Sequence, residues 1–175
     1  MFGIFKSAKP KTPTGAEMAE EGLRLVADAI AKNAIQLEQG RISGDVYVHA
    51  DQPDGSLRLT YVMFSPSVQN KVIARCAFCL TRVQHGVPIW QMDWAVDERY
   101  RGEGFGTAVA AKSLAEFVSG LSKNSKQGFV IEATVDDGNE PSIRIARKLV
   151  GSEEVLFDKS RAINVHTFIR KVGFA

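Results

Sequence analysis

IWQMDWAVDERYRGEGFGTAVAAKSLAEFVSGL, residues 89–121, couples an apolar strand to an amphipathic helix through a glycine-rich turn. The strand ends at Val96, a charged turn follows, and Arg101-Gly102-Glu103-Gly104-Phe105-Gly106 opens the helix. Alternating glycines leave several backbone N–H groups uncovered by side chains. These groups stand where a helix presents its unpaired donors and the positive end of its dipole. Such a turn suits a phosphate or pyrophosphate, so an anion site is expected at the carboxyl end of this strand.

Two common phosphate motifs do not fit. A dinucleotide fingerprint needs G-x-G-x-x-G, whereas the glycines here are Gly102, Gly104 and Gly106. A Walker loop needs a glycine where Ala111 precedes Lys112 and Ser113. Ala110, Leu114, Phe117, Val118 and Leu121 recur at helical spacing, which places Lys112 on a helix surface.

What remains is Arg101-x-x-Gly104-x-Gly106 after Asp93-Trp94-Ala95-Val96. This resembles the acetyl-CoA-binding motif Q/R-x-x-G-x-G/A of the GNAT superfamily of N-acetyltransferases. A second block, FVIEATVDDGNEPSIRIARKLVG over residues 129–151, resembles the family's next strand and its N-x-x-S/A helix, with Asn139 and Ser142 in place. The resemblance implies an α/β (α+β) fold, a mixed and mostly antiparallel central sheet flanked by helices in a single domain. It implies acetyl-CoA as cosubstrate, no metal, and an amine acceptor that is a small molecule or a protein. Residues 101–107, namely Arg101, Gly102, Glu103, Gly104, Phe105, Gly106 and Thr107, would hold the pyrophosphate, with Asn139 and Ser142 beside it. The backbone at Ala95 and Val96 would pair with the pantetheine and aim an N–H at the thioester oxygen.

The side-chain chemistry implied by the resemblance is a base for the amine and an acid for the departing thiolate. The family often carries a glutamate on the motif strand. Asp93 is the only carboxylate at the corresponding positions, with a structural role beside an arginine as the other reading. Glu132, on the neighbouring strand, is the second candidate. Many relatives place a tyrosine seven residues after the motif asparagine, and that position here is Ala146. Ser142 is then a candidate donor, a phosphate ligand or a plain helix residue. Two functions follow: an N-acetyltransferase acting by direct attack in a ternary complex, or a non-catalytic acyl-CoA-binding or protein-interaction module. Arg99, Arg101, Arg144, Arg147 and Lys148 would cluster near the phosphates or form a solvated face.

Composition is that of an ordinary globular domain, with 45% hydrophobic and 24% charged residues among 175. A net charge of +2 argues against a nucleic-acid partner, and no apolar run is long enough for a membrane span. Cys76 and Cys79 lack a second pair or a spaced histidine to complete a metal site, and read as small core residues of a cytoplasmic protein.

Residues 1–15 read as a flexible basic tail in which Phe2 and Phe5 are apolar, leaving residues 16–175 as the domain. A helix is expected over Ala16–Gln39. Strands follow near Val46–Ala50, Leu57–Phe64, Lys71–Val83, Val87–Val96 and Phe129–Val135, then a helix at Glu140–Leu149 and strands at Glu154–Phe157 and Ile163–Ile169. Asp54-Gly55 marks a hairpin. The family starts with a strand, whereas this chain starts with a helix. Its C-terminal strands often support dimers in the family, which makes a homodimer an implied assembly.

Overall fold

The computed structural model describes residues 12–174. Most of the expected tail, including Phe2 and Phe5, lies outside them. Helix α1 spans Gly15–Ala31, so Thr14 and Gly15 belong to its start rather than to a tail. Thr14 accepts the Glu17 amide at 3.1 Å while Glu17 accepts the Thr14 amide at 2.7 Å. This reciprocal box satisfies two donors that a helix start leaves orphaned.

The helix stops eight residues short of the expected Gln39. Asn33 sits at φ +53°, a left-handed conformation that asparagine tolerates and a helix cannot continue through. Leu37 still packs beneath α1, but from an extended segment that leads into β1, Glu38–Gln39.

Seven further strands follow: β2 Val46–Asp51, β3 Arg58–Phe64, β4 Val72–Gln84, β5 Val87–Val96, β6 Phe129–Asp136, β7 Ser152–Asp158 and β8 Ile163–Val172. With α2 at Phe105–Ser122 and α3 at Glu140–Leu149, they build one sheet in the order β1-β2-β3-β4-β5-β6-β8-β7. Among the described residues only β5 and β6 run parallel. The hairpin at Asp54-Gly55 joins β2 directly to β3, with Asp54 at φ +53° and Gly55 at +82°.

Helices cover both faces. On one, α2 and α3 bury Phe78, Trp90, Met92, Phe117 and Phe129. Phe117 stacks on Phe78 at a centroid distance of 4.0 Å and meets Phe129 edge-on at 5.8 Å. Glu116 turns the same helix toward the β1–β2 loop, accepting the Arg41, Ile42 and Ser43 amides at 3.1, 2.6 and 2.7 Å. On the other face α1 lays Ala19 and Leu23 over Val62, Val72 and Ala95. Cys76 is buried in the first layer and Cys79 is half-buried; both are free, and burial pushes both thiols upward, away from thiolate chemistry.

Candidate functional site: a cleft between two parting strands

Strands β5 and β6 pair only at Ile89–Val130, Trp90–Ile131 and Gln91–Glu132. Beyond that point β5 stays with β4 as far as Val96, and β6 stays with β8 as far as Asp136. The sheet therefore opens between Met92–Val96 and Ala133–Asp136. A cavity of about 700 Å³ fills this opening. Parting strands expose main-chain groups that an extended ligand can complete. The Asp97 amide donates to Ile73 at 2.8 Å, so alternation along the strand turns the Ala95 amide toward β4 and the Val96 amide into the cleft. Of the two expected backbone donors, Val96 faces the opening.

Asp97 ends the strand cleanly. Its carboxylate accepts the Arg99 amide at 3.1 Å and pairs with Lys71 at 2.6 Å. The hydrogen bond from Lys71 holds its pKa below the ordinary carboxylate range, against a partial desolvation. A short 3₁₀ turn, Glu98–Tyr100, then delivers the glycines.

Gly102 and Gly104 lie at φ +81° and +86°, in the left-handed region. A Cβ built on either would meet nothing within 4 Å, so the space over the turn is open. Gly104 is the N-cap of α2 and contributes no capping side chain. The first amides of α2 thus keep their hydrogen-bonding capacity and carry the positive end of the dipole. Gly106 has a different reason: a Cβ there would stand 3.3 Å from the Ile145 side chain and 3.5 Å from that of Val96. Its absence lets α2 approach β5 and α3.

Helix α3 forms the opposite wall. Asn139 caps it, accepting the Ser142 amide at 3.3 Å. Arg144 and Lys148 reach the cavity one turn apart and form no ion pair among the described residues. Arg147 points away, held to Glu153 at 2.7 Å, and Arg99 is likewise outside the lining. The expected cluster of five cations is a cluster of three, completed by Arg101. Lys112 pairs with Asp45, far along α2 from the glycine turn.

Of the other sequence candidates, Asp93, Ala95, Val96, Arg101, Gly102, Gly104, Gly106, Thr107, Asn139 and Ser142 line the cavity. Glu103 is exposed outside it, and Phe105 packs edge-on against Tyr100 at 6.1 Å. Glu132 does not join Asp93 at a common site. It lies where the strands are still paired, bridged by Arg82 through bonds of 3.1 and 2.7 Å. Asp93 does line the cleft, and its carboxylate is ion-paired with Arg75. Arg75 is itself buried, and reaches the Ala19 carbonyl at 3.4 Å. Ala146 is fully buried in the core, on the side of α3 away from the cleft.

Sequence reasoning missed the wall supplied by α1. Gly15, Ala16, Ala19 and Glu20 line the cavity. The Gly15 amide donates to Asp136 at 2.9 Å on one side of the opening, and Glu20 pairs with Arg101 at 2.7 Å on the other. The signal available beforehand was the run of small residues on one stripe of the helix; nothing in the sequence said which sheet face they would meet.

No model of a known protein family matches the sequence, and no curated protein matches it. Solved structures do. A chimera of the spermidine N-acetyltransferase SpeG from Vibrio cholerae and hSSAT aligns at 14% identity with a TM-score of 0.51, covering 65% of this chain and 66% of the other. A GNAT-family acetyltransferase from Streptococcus pneumoniae aligns at 15% identity and a TM-score of 0.49, over 66% of this chain and 67% of that one. RimL, a ribosomal α-N-protein acetyltransferase solved in complex with coenzyme A, aligns at 16% identity and 0.49, over 67% and 64%. The chain spans about two thirds of the length of these proteins. With its parting strands, its glycine turn and this likeness, the chain has the fold of the GNAT-family acetyltransferases.

Proposed function

We propose that this chain is an N-acyltransferase that moves an acetyl group from acetyl-CoA to a primary amine by direct attack in a ternary complex. The observation that carries the reading is one coincidence: the sheet opens at Met92, and ten residues later the glycine turn that starts at Gly102 offers the unpaired first amides of α2 at the mouth of that opening. An elongated ligand with a diphosphate at one end and an extended amide chain at the other matches both features. The residues fit such a group. Gly102 and Gly104 leave open space over the turn, Arg144 and Lys148 are cations without ion-pair partners among the described residues, and the strand offers an inward amide at Val96.

Coenzyme A supplies the activated thioester; the chain supplies position and charge. The amides of residues 102–107 and the side chains of Arg101, Arg144 and Lys148 hold the phosphates, with Thr107 at the first turn of α2. The Val96 amide, fixed before reaction, stabilises the oxyanion. Asp93, set in place by Arg75, takes the proton of the attacking amine, directly or through water. Ser142 and Asn139 close the far wall. We leave Glu132 in a structural role, because Arg82 holds it away from the opening. For assembly the reading carries a homodimer through the edge strand β7, whose Val155, Leu156 and Phe157 are exposed; light scattering tests it.

One specific observation favours the second reading, a CoA-binding module without turnover: Ala146 occupies the place of the expected acid and is sealed in the core. A thiol-release assay with acetyl-CoA against a panel of amines and peptides separates the two. Amine-dependent release of thiol is expected. Binding of coenzyme A with no release under any amine would leave the module reading.

A further inference from the structure

We propose that α1 aims the base of this cleft, with Gly22 and Arg75 as the positioning residues through which it acts on Asp93. The inference rests on the acyl-transfer reading and adds to it two residues that do not line the cavity.

Two local rules are broken at one place. Gly22 sits in the interior of α1, where glycine weakens a helix relative to alanine. Arg75 is a cation whose side chain is only 7% exposed, set among the buried residues of β4, and a buried ion pair is a weak source of stability. Local rules broken together point to a functional demand. Both departures meet at the same atoms. A Cβ on Gly22 would stand 2.7 Å from Arg75 Cζ and 2.8 and 3.0 Å from its Nη1 and Nη2, closer than a side-chain carbon approaches. The glycine therefore lets the helix backbone roof the guanidinium directly.

Beneath that roof the guanidinium has two partners. Nη1 donates to Asp93 Oδ1 and, at 3.4 Å, to the Ala19 carbonyl, while Nη2 reaches Asp93 Oδ2 at 3.5 Å. A two-pronged contact fixes the plane of a carboxylate as well as its place. The Asp93 side chain is 34% exposed and lines the cavity, so one edge is gripped and the other is open to the cleft. The helix is itself tied to both sides of the opening, by the Gly15 amide to Asp136 at 2.9 Å and by Glu20 to Arg101 at 2.7 Å. The fork on Asp93 is thus set from above by an element anchored to the cleft. Such placement matters to rate, because an error of about 1 Å can cost on the order of a hundredfold.

The test measures thiol release from acetyl-CoA with one amine for Gly22→Ala, Arg75→Lys and Arg75→Met, each alone and combined with Asp93→Asn. Gly22→Ala restores a better helix former, yet kcat should fall about tenfold, since the guanidinium must yield to the added methyl. Arg75→Met should lower kcat on the order of a hundredfold, and Arg75→Lys, which keeps the charge but not the fork, should recover only part of it. Coenzyme A affinity by calorimetry should stay within about twofold of the parent throughout. In the Asp93→Asn background the three substitutions should cost nothing further, because no base is left to aim. Losses that multiply in that background overturn the proposal, as they would mark a general loosening of the fold. Unchanged kcat in Gly22→Ala, or a coenzyme affinity that falls in step with kcat, overturns it as well. Gly22→Ala removes no buried charge and so carries the comparison if Arg75→Met fails to fold. Full turnover in Asp93→Asn alone removes the base, and this proposal with it, while acyl transfer stands. A parent chain that releases no thiol with any amine removes the acyl-transfer reading itself.

Discussion

Gly104 illustrates how much a missing side chain can contribute. Its φ of +86° is one that other residues adopt only with strain, and the space above it is open. Gly104→Glu adds strain and sets a carboxylate over the amides assigned to the diphosphate. Affinity for coenzyme A should fall at least about a hundredfold, as expected when several charge-assisted hydrogen bonds are lost. Circular dichroism should show the fold retained; undiminished binding in a calorimetric titration would contradict the assignment. Asp93→Asn probes the other end of the cleft. Turnover should drop on the order of a hundredfold while coenzyme A affinity stays the same, since a general base typically contributes that much to rate. Full turnover would reassign Asp93 to its ion pair with Arg75. That pair lacks a sequence signal, because Arg75 and Asp93 meet only through the register of β4 against β5, where Ala77 faces Asp93 and Arg75 faces Ala95.

At the level of elements, α3 presents two cations to the cleft and commits a third elsewhere. Arg144→Ala and Lys148→Ala should each weaken coenzyme A binding about tenfold, with a shallower dependence on salt than the parent. Arg147→Ala should leave binding unchanged. Fluorescence or calorimetric titrations at two ionic strengths check all three. The strand pair β7–β8 carries a titratable lock that the cleft does not use. His166 lies 2.7 Å from Glu153 and 3.3 Å from Asp137, and the hydrogen bond to Glu153 above all raises its pKa. A raised value in the folded chain means that the added stability is fully present below about pH 6.5, the unfolded value. It is lost as pH climbs through the folded value. The melting temperature should therefore fall between pH 6 and pH 8 more in the parent than in His166→Gln. Equal slopes would show that the lock contributes nothing.

Across the whole molecule, the two blocks that carry the resemblance were legible because each is local. The strand, its glycine turn and the amphipathic helix are neighbours in sequence, and so are Asn139, Ser142 and the helix they open. β5 and α3 were expected at the bounds they adopt, Val87–Val96 and Glu140–Leu149. Features built from distant segments were not legible. The parting of β5 from β6 was expected only through the family resemblance; the pairing of Glu132 with Arg82 and the covering of the cleft by α1 each join residues separated by dozens of positions. The overlong first helix has a local cause. Apolar periodicity runs on through Ala34 and Leu37, and the stop is a single backbone angle at Asn33. The helix placed before the first strand supplies one wall of the cleft, whereas β2 passes to β3 through only the three-residue 3₁₀ turn Pro53–Gly55.

The claim on which the rest depends is that the glycine turn and the parted strands together hold coenzyme A. Calorimetric titration of the full chain with coenzyme A tests it most directly. Saturable heat with one ligand per chain, abolished by Gly104→Glu, is the expected result. No heat of binding by the folded parent chain would contradict it.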